Sequence, residues 1–255
     1  MRELRKGNLT VKIFETRALM GAAAAAIAAD KIVELLKEKE FINIVFAAAP
    51  SQNEFLASLA EKKVDWKRVN AFHMDEYVGL NSEAPQLFGN FLKQRFFGKV
   101  SLRNTFYLNG SAADPDQECK RYAELLEKYP TDIVFLGIGE NTHVAFNDPH
   151  VADFNDPAIV KIVDLDEKNR RQQVDPADPS CFNHIEEVPT HAITLTVPAL
   201  FKADYAYAIA PGDKKADAIY HTLNEEIQEN YPSTVFRNHP NVMLFIDEKS
   251  AARLA

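Results

Sequence analysis

The chain has 255 residues, of which 46% are hydrophobic and 26% are charged, and its formal net charge at pH 7 is −8. These values are ordinary for a soluble globular protein, and a chain of this length buries a large core without a structural metal or a disulfide network. No patch alternates Lys and Arg with aromatic residues, which argues against nucleic acid as the main partner.

The N-terminal part of the sequence predicts a protein that stays in the cytoplasm and outside the membrane. The first fifteen residues, MRELRKGNLTVKIFE, lack the apolar stretch of a secretory signal. The alanine-rich segment that follows is interrupted by Asp30 and Lys31, so it predicts a buried amphipathic helix rather than a membrane span. Cys119 and Cys181 form no CxxC pair, which is typical of reduced cytosolic thiols; one disulfide between them is the alternative.

Further along the chain, apolar runs of strand length alternate with amphipathic segments of helix length. The predicted strands are LTVKIFE, INIVFAA, RVNAFHMD, DIVFLGI, HAITLTV, DYAYAIA and NVMLFID. The predicted helices cover residues 16–37, 53–63, 85–97, 116–128 and 213–223. This alternation predicts an α/β fold with a mostly parallel central sheet, and strands that are apolar throughout indicate helices on both faces.

The sequence contains no internal repeat and no low-complexity linker, so we expect a single domain over residues 1–255. One segment, residues 164–187, is polar and contains two prolines. A long polar segment of this kind is typical of a lid, and we call it the flap.

Ligands of open α/β sheets bind at the carboxyl ends of the strands, so the residues that follow each strand are candidates for a site. In FHMDEYVGL, two adjacent carboxylates, Asp75 and Glu76, follow an apolar strand. Neighbouring residues of an extended chain point in opposite directions, so one carboxylate is expected to enter a site as a base and the other to pair with a distant cation. The alternative is a solvated turn, which is the commoner setting for such a pair.

A second candidate follows the strand DIVFL, in the segment GIGENTHVAFNDP. Gly137 and Gly139 permit a tight turn, and His143 has a side chain that transfers protons near neutral pH. Asn141 or Asp148 could fix the orientation of this histidine. A structural histidine is the alternative. No second histidine lies at a spacing typical of metal ligands, so no metal is expected.

The motifs FHMDEYVGL and LGIGENTHVAFNDP resemble the signatures MDEYVGL and GxGxxGHxAFN(E/D)P of the glucosamine-6-phosphate deaminase family. EEVPTHAITLTVPAL and PGDKKADAI are similar to two weaker family motifs, so the resemblance runs from about Lys12 to Asp247. It implies a three-layer α/β sandwich and a reaction without a cofactor. Family members convert glucosamine 6-phosphate to fructose 6-phosphate and ammonia.

The resemblance also implies a role for each matching residue. Asp75 would move a proton between C2 and C1 of the sugar, and His143 would assist ring opening at the ring oxygen. Asn141 and Asp148 would flank and orient the histidine. Lys215 matches the lysine associated with the substrate phosphate. The expected partner is a small phosphorylated amino sugar, and a homo-oligomer is left open.

The loop after the second predicted strand departs from the family pattern. It reads AAAPSQ over residues 47–52, where the family usually has a glycine-rich loop such as PTGGTP. Backbone N–H groups at the start of a helix bind anions, but Pro50 has none, and alanine disfavours a positive φ. Ser51 remains as a hydroxyl donor at the Thr/Ser position of the family. We therefore expect a weakened phosphate site.

Two further departures concern the histidine turn and the flap. Thr142 stands where the family has glycine, and because a β-branched residue avoids left-handed backbone we expect this turn to be reshaped. The family also places an arginine from the flap on the phosphate. Arg170 is the candidate for this role, with Arg171 next to it, although neither aligns securely.

Three functions compete at this point. The first is an amino-sugar phosphate isomerase/deaminase. The second is a hydrolase similar to 6-phosphogluconolactonase, which shares the fold, but lactone hydrolysis does not need the proton shift that the carboxylate of MDEY would perform. The third is a sugar-phosphate-binding paralogue without activity, which only the altered loop favours.

Overall fold

Two sheets organise the fold in a computed structural model that describes residues 1–254. The strands are β1 (Arg2–Lys6), β2 (Leu9–Phe14), β3 (Ile42–Phe46), β4 (Val69–His73), β5 (Asp75–Tyr77), β6 (Asn104–Phe106), β7 (Ile133–Leu136), β8 (Val160–Asp164), β9 (His191–Leu195), β10 (Tyr205–Ile209) and β11 (Val242–Asp247). The large sheet has the order β1-β2-β11-β10-β7-β3-β4-β6, and all its pairs are parallel except β1 with β2. This confirms the predicted α/β fold with a mostly parallel central sheet.

Within residues 1–254, seven α-helices connect the strands. They are α1 (Arg17–Glu38), α2 (Asn53–Ala60), α3 (Phe88–Leu92), α4 (Pro115–Lys128), α5 (Glu167–Gln172), α6 (Val197–Phe201) and α7 (Ala216–Asn224). The Thr16 side chain caps α1 by accepting the Leu19 N–H at 3.2 Å. Within residues 1–254, none of these helices is both long and apolar enough to cross a membrane.

The central sheet is buried on both faces because its residues alternate between two apolar cores. On β10, Ala206 and Ala208 enter the core beneath α4, α6 and α7, whereas Tyr207 and Ile209 enter the core beneath α1 and α2. On the second side, Gly21 of α1 lies so close to α2 that a Cβ would fall 2.7 Å from Glu54. These layers form the three-layer sandwich implied by the resemblance.

The predicted strand HAITLTV is confirmed as a strand, but it lies outside the central sheet. It forms β9, the middle strand of a small antiparallel sheet between β5 and β8. A short apolar run does not reveal which sheet a strand joins. Four strands were not predicted. β1 is charged at four of its five residues, β5 and β6 have three residues each, and β8 contains Lys161 and ends at Asp164. The small sheet matters for function because β5 begins with Asp75.

Candidate active site

Four of the candidate residues meet at a cavity of about 320 Å³ at the carboxyl ends of β3, β4, β7 and β10. Segments 47–51, 137–140, 172–175 and 211–215 contribute to its wall. Asp75 and His143 line the same cavity as Ser51 and Lys215. Two strand ends that the sequence singled out separately therefore face a common space.

Asp75 is a buried carboxylate without a hydrogen-bonding partner. Its residue is 5% exposed, and its Oδ1 contacts no donor within residues 1–254. Burial, with a smaller contribution from the charge of Glu76, raises the pKa of Asp75 well above its usual range. A carboxyl group in this setting accepts protons more readily than a solvated one, which suits a general base.

Glu76 points to the opposite side of β5, as the alternation of an extended chain requires. Its carboxylate accepts the N–H groups of Tyr77 and Phe88 at 3.0 Å and of Gly89 at 2.9 Å. The prediction that the second carboxylate pairs with a distant cation was therefore wrong, since it binds the start of α3 instead. Burial raises the pKa of Glu76 to about 7, and the three N–H groups oppose this rise.

His143 is oriented by two acceptors on one side of its ring. Its Nδ1 lies 2.6 Å from Oδ1 of Asn141 and 3.2 Å from Oδ1 of Asp148. Because both neighbours accept, Nδ1 carries the proton and Nε2 is left as the basic nitrogen. Nε2 has no partner within residues 1–254, and the histidine lines the cavity. The ring packs on Gly139, where any Cβ would fall 2.2 Å from it.

Asp148 is completely buried and held by donors from two segments. Asn141 Nδ2 donates to its Oδ1 at 2.9 Å, Asn169 Nδ2 donates at 2.9 and 3.1 Å, and the Asp166 N–H donates at 3.1 Å. Burial alone would raise the pKa of Asp148, but the hydrogen bond to His143 and the histidine charge outweigh it, so the pKa lies below its usual value. Asp148 is thus an ionised partner for His143 at neutral pH.

Thr142 adopts the left-handed conformation that its side chain disfavours. Its φ is 70°, so the expected reshaping of this turn was wrong. The Thr142 N–H donates to Gly139 O at 3.0 Å, and Thr142 O accepts the Ser233 N–H at 3.0 Å. Such backbone strain costs about 1–3 kcal/mol and persists only where the surroundings impose it. The hydrogen bonds of this turn impose it here.

The loop at residues 47–52 keeps most of its donors despite its sequence. The N–H groups of Ala48, Ala49 and Ser51 have no acceptor within residues 1–254. Ala49 has a φ of −164°, which is ordinary extended backbone, so this loop does not require glycine there. Pro50 begins a short 3₁₀ turn that leads into α2. The loss of donors is therefore confined to Pro50.

Two cations stand next to this loop. Lys215 is 9% exposed, and its side chain makes no hydrogen bond or ion pair within residues 1–254. Burial lowers the pKa of Lys215 to about 8 against the opposing charge of Glu140, so the ammonium form predominates at pH 7. Arg17, at the start of α1, also lines the cavity; it pairs with Glu54 at 2.9 Å and donates to Pro50 O at 3.1 Å. The sequence reasoning missed Arg17, because its place beside this loop depends on how α1 packs against α2.

Arg170 does not reach the cavity. Its guanidinium donates to the backbone carbonyls of Ile185 and Val188, both at 2.8 Å, and so braces the flap internally. The flap residues that line the cavity are 172–175 and Cys181. These contacts give no support to Arg170 as a phosphate ligand, and that role stays a prediction.

One group of potential metal ligands, Asp148, His150 and Asp166, brings its ligand atoms within 4.8 Å of one another. Both oxygens of Asp148 already accept N–H groups, and Asp166 accepts from Asn141 at 2.7 Å. Amide donors on the carboxylates do not suit a cation, so this group is a hydrogen-bond network and not a metal centre.

Comparison with known proteins places these features in a family. The family model described as glucosamine-6-phosphate isomerases/6-phosphogluconolactonase matches residues 15–244. A glucosamine-6-phosphate deaminase of Bacillus cereus is 36% identical over 219 residues, which cover 86% of this chain and 80% of that protein. The solved structure of a monomeric glucosamine-6-phosphate deaminase has a TM-score of 0.83 and 28% identity, and covers 95% of this chain and 98% of its own.

A more distant structural neighbour shares the fold alone. The 6-phosphogluconolactonase of Thermotoga maritima has a TM-score of 0.73 at 22% identity, covering 94% of this chain and 99% of its own. Relatives of both activities therefore share one architecture, and the site has to distinguish between them.

Proposed function

The chain belongs to the family of glucosamine-6-phosphate isomerases and 6-phosphogluconolactonases, and we propose that it is a glucosamine-6-phosphate deaminase. The observation that carries this proposal is the cavity shared by Asp75, His143 and Lys215. It joins a base, an oriented imidazole and a cation, which are the groups needed to open, isomerise and hold a phosphorylated amino sugar.

Ring opening is the task of His143. Nε2 faces the cavity as the basic nitrogen while Asn141 and Asp148 hold Nδ1–H. The histidine takes the proton of the C1 hydroxyl and returns a proton to the ring oxygen as the C1–O5 bond breaks. The ionised Asp148 stabilises the imidazolium that forms between these two transfers.

Proton transfer between C2 and C1 is the task of Asp75. The carboxylate removes the proton from C2 of the open-chain aldehyde while O1 takes up a proton, which forms an enol-amine. It then delivers the C2 proton to C1 as the amine gives up a proton. The resulting imine at C2 takes up water and releases ammonia, which leaves fructose 6-phosphate. Asp75 makes no other hydrogen bond through Oδ1, so nothing competes with this role.

The phosphate group is held at the other end of the cavity. Lys215 and Arg17 supply the charge, and the free N–H groups of Ala48, Ala49 and Ser51 supply directional donors. The reaction needs no cofactor. Both cysteines are free thiols in the structure, which supports a cytoplasmic location.

The lactonase alternative has weaker support. Its structural neighbours share the fold at 22% identity or less among those compared, whereas the deaminase of Bacillus cereus shares 36%. A lactonase also has no use for an unpartnered buried carboxylate such as Asp75 at C2. A protein that only binds sugar phosphate has no use for the arrangement that orients His143.

The decisive experiment measures ammonia release from glucosamine 6-phosphate, together with hydrolysis of 6-phosphogluconolactone. We expect ammonia and fructose 6-phosphate in equal amounts and no lactone hydrolysis above the spontaneous rate. Asp75→Asn is the matched control. Lactone hydrolysis without ammonia release would replace this proposal with the alternative, and tight binding without turnover would indicate a paralogue that has lost activity.

A further inference from the structure

The flap contacts the catalytic histidine through a chain of polar side chains. Asn169, on α5, is 1% exposed. Its Nδ2 donates to both carboxylate oxygens of Asp148, at 2.9 Å to Oδ1 and at 3.1 Å to Oδ2. Asp148 in turn lies 3.2 Å from Nδ1 of His143. A buried residue of the flap therefore sits one side chain away from the imidazole.

The orientation of the Asn169 amide is fixed by a residue that lines the cavity. Its Oδ1 accepts Nε2 of Gln173 at 3.0 Å, so Nδ2 must face Asp148. Gln173 lines the cavity. The Asn169 N–H also donates to Oδ1 of Asp166 at 2.6 Å, which fixes the start of α5.

The other contacts between α5 and the histidine turn are also polar. Asn141 Nδ2 donates to Asp166 at 2.7 Å, and the Glu140 N–H donates to Gln172 at 2.7 Å. Displacing the flap would remove these donors and acceptors together. Asp148 would then keep only Asn141 and His143 as partners, because its other donors belong to the flap.

We propose that Asn169 is a positioning residue that makes the tautomer and orientation of His143 depend on the docked flap. This rests on the proposed function of His143 in ring opening. Asn169 touches neither substrate nor reacting atoms; it acts through Asp148, and Gln173 connects it to whatever occupies the cavity. The flap is thus a part of the catalytic machinery as well as a cover.

The first test compares Asn169→Ala and Asn169→Asp with Arg171→Ala. Arg171 lies on the same helix, is exposed and pairs only with Glu167, so its variant reports the effect of weakening α5 itself. We expect both Asn169 variants to reduce kcat on cyclic glucosamine 6-phosphate by about tenfold or more with little change in KM. The reason is that Asp148, which orients His143, loses the donor Nδ2 of Asn169. The rate on an open-chain analogue should change much less, and Arg171→Ala should match the wild type.

The pH profile separates positioning from simple structural support. Asp148 faces His143, Asp166 and His150, and loses donors when Asn169 is changed. The acid limb of kcat/KM should then move to higher pH, because a carboxylate with fewer donors is protonated more easily. An unshifted profile with equal losses on cyclic and open-chain substrates would overturn the proposal.

A second measurement does not depend on activity. In protein with ¹⁵N-labelled histidine, the nitrogen shifts of His143 report which ring nitrogen carries the proton. We expect the Nδ1–H form in the wild type and a mixture in Asn169→Ala, with thermal unfolding checked for both. A wild-type spectrum in the folded variant would refute the role of Asn169 even if the protein were shown to have another activity.

Discussion

At the scale of single residues, Asp75 shows how a site needed for chemistry weakens a fold. The carboxylate is buried and its Oδ1 is without a donor, so its charged form is disfavoured in the native state. Because the pKa is higher in the folded state than in the unfolded chain, the folded state binds more protons, and stability falls as pH rises above the ordinary pKa of an aspartic acid.

We therefore expect Asp75→Asn to separate activity from stability. The amide cannot accept the proton from C2, so turnover should fall by at least about 10²-fold. The same variant should unfold at a higher temperature than the wild type at pH 8, and the difference should shrink towards pH 4, where the wild-type carboxyl is protonated. Parallel activity assays and thermal scans across this pH range test both halves. A variant that is less stable at every pH would show that burial of Asp75 is not a burden on the fold.

A second prediction for a single residue concerns Lys215 and the pH dependence of phosphate binding. Burial lowers its pKa to about 8, so above that pH the free protein must take up a proton before the ammonium can bind an anion. The Kd for fructose 6-phosphate should be flat near pH 7 and rise by up to about tenfold per pH unit above pH 8. This ligand lacks an amine, so only the protein titrates in this range. Lys215→Arg should keep the Kd flat to higher pH, and calorimetry measures both.

The sequence could indicate some of these residues and not others. Asp75, Asn141, His143 and Asp148 lie in two short segments that follow β4 and β7, strands whose carboxyl ends open on one edge of the central sheet with β3 between them. Arg17 could not be found in this way, because its place beside Pro50 depends on how α1 packs against α2.

At the scale of elements, the loop at residues 47–52 shows that glycine can be replaced without loss of the backbone N–H groups that bind an anion. Alanine replaces glycine where φ is negative, so the backbone keeps its course and its N–H groups. Only Pro50 removes a donor. The weakening of the phosphate site therefore stays a prediction, now attached to one residue.

We expect Pro50→Gly to tighten the binding of glucosamine 6-phosphate by about tenfold, since an N–H bond to a charged group contributes about 1.5–3 kcal/mol. Ala49→Gly is the matched control: it adds no donor, so it should bind no more tightly than the wild type. Calorimetric titration of the three proteins gives the answer. Equal affinity in all three would show that Arg17 and Lys215 already satisfy the phosphate.

Elements were predictable where local pattern decides them. Six of the seven predicted strands lie in the central sheet. Apolar strands that alternate with amphipathic helices can bury their side chains in few arrangements other than a sheet covered by helices. The flap was different. Arg170 has the right charge and stands in the right segment, yet it turns to the carbonyls of Ile185 and Val188, and no local pattern encodes that choice.

At the scale of the whole molecule, the order of strands ties the two ends of the chain together. β2 pairs with β1 on one side and with β11 on the other, so the N-terminal hairpin reaches the rest of the sheet only through the last strand. Arg2 also pairs with Glu248 at 2.9 Å. The hairpin and the C-terminal strand are one structural unit although more than two hundred residues separate them.

Removing residues 241–255 should therefore do more than shorten the protein. β10 would become an edge, β2 would lose its parallel partner, and we expect the broad, non-cooperative thermal transition of a chain without a complete core. A circular permutant that starts at Asn241 and joins residue 255 to residue 1 is the control, because it keeps β11 and should unfold as cooperatively as the wild type. A truncated chain with a sharp, wild-type transition would contradict this.

The pairing of β2 with β11 also determines when the sheet can be completed during synthesis on the ribosome. The hairpin of β1 and β2 is translated before the other strands, and β11 is translated after them. The edge of β2 that pairs with β11 therefore stays unpaired while the strands between them are made. Unpaired edges promote association between chains. β1 remains an edge strand of the finished sheet, and its charged side chains, four of the five residues in Arg2–Lys6, are the kind that discourage such association. In the permutant, β11 emerges ahead of the hairpin and β2 can pair with it at once, so we expect fewer aggregates of the nascent chain during expression than in the natural order.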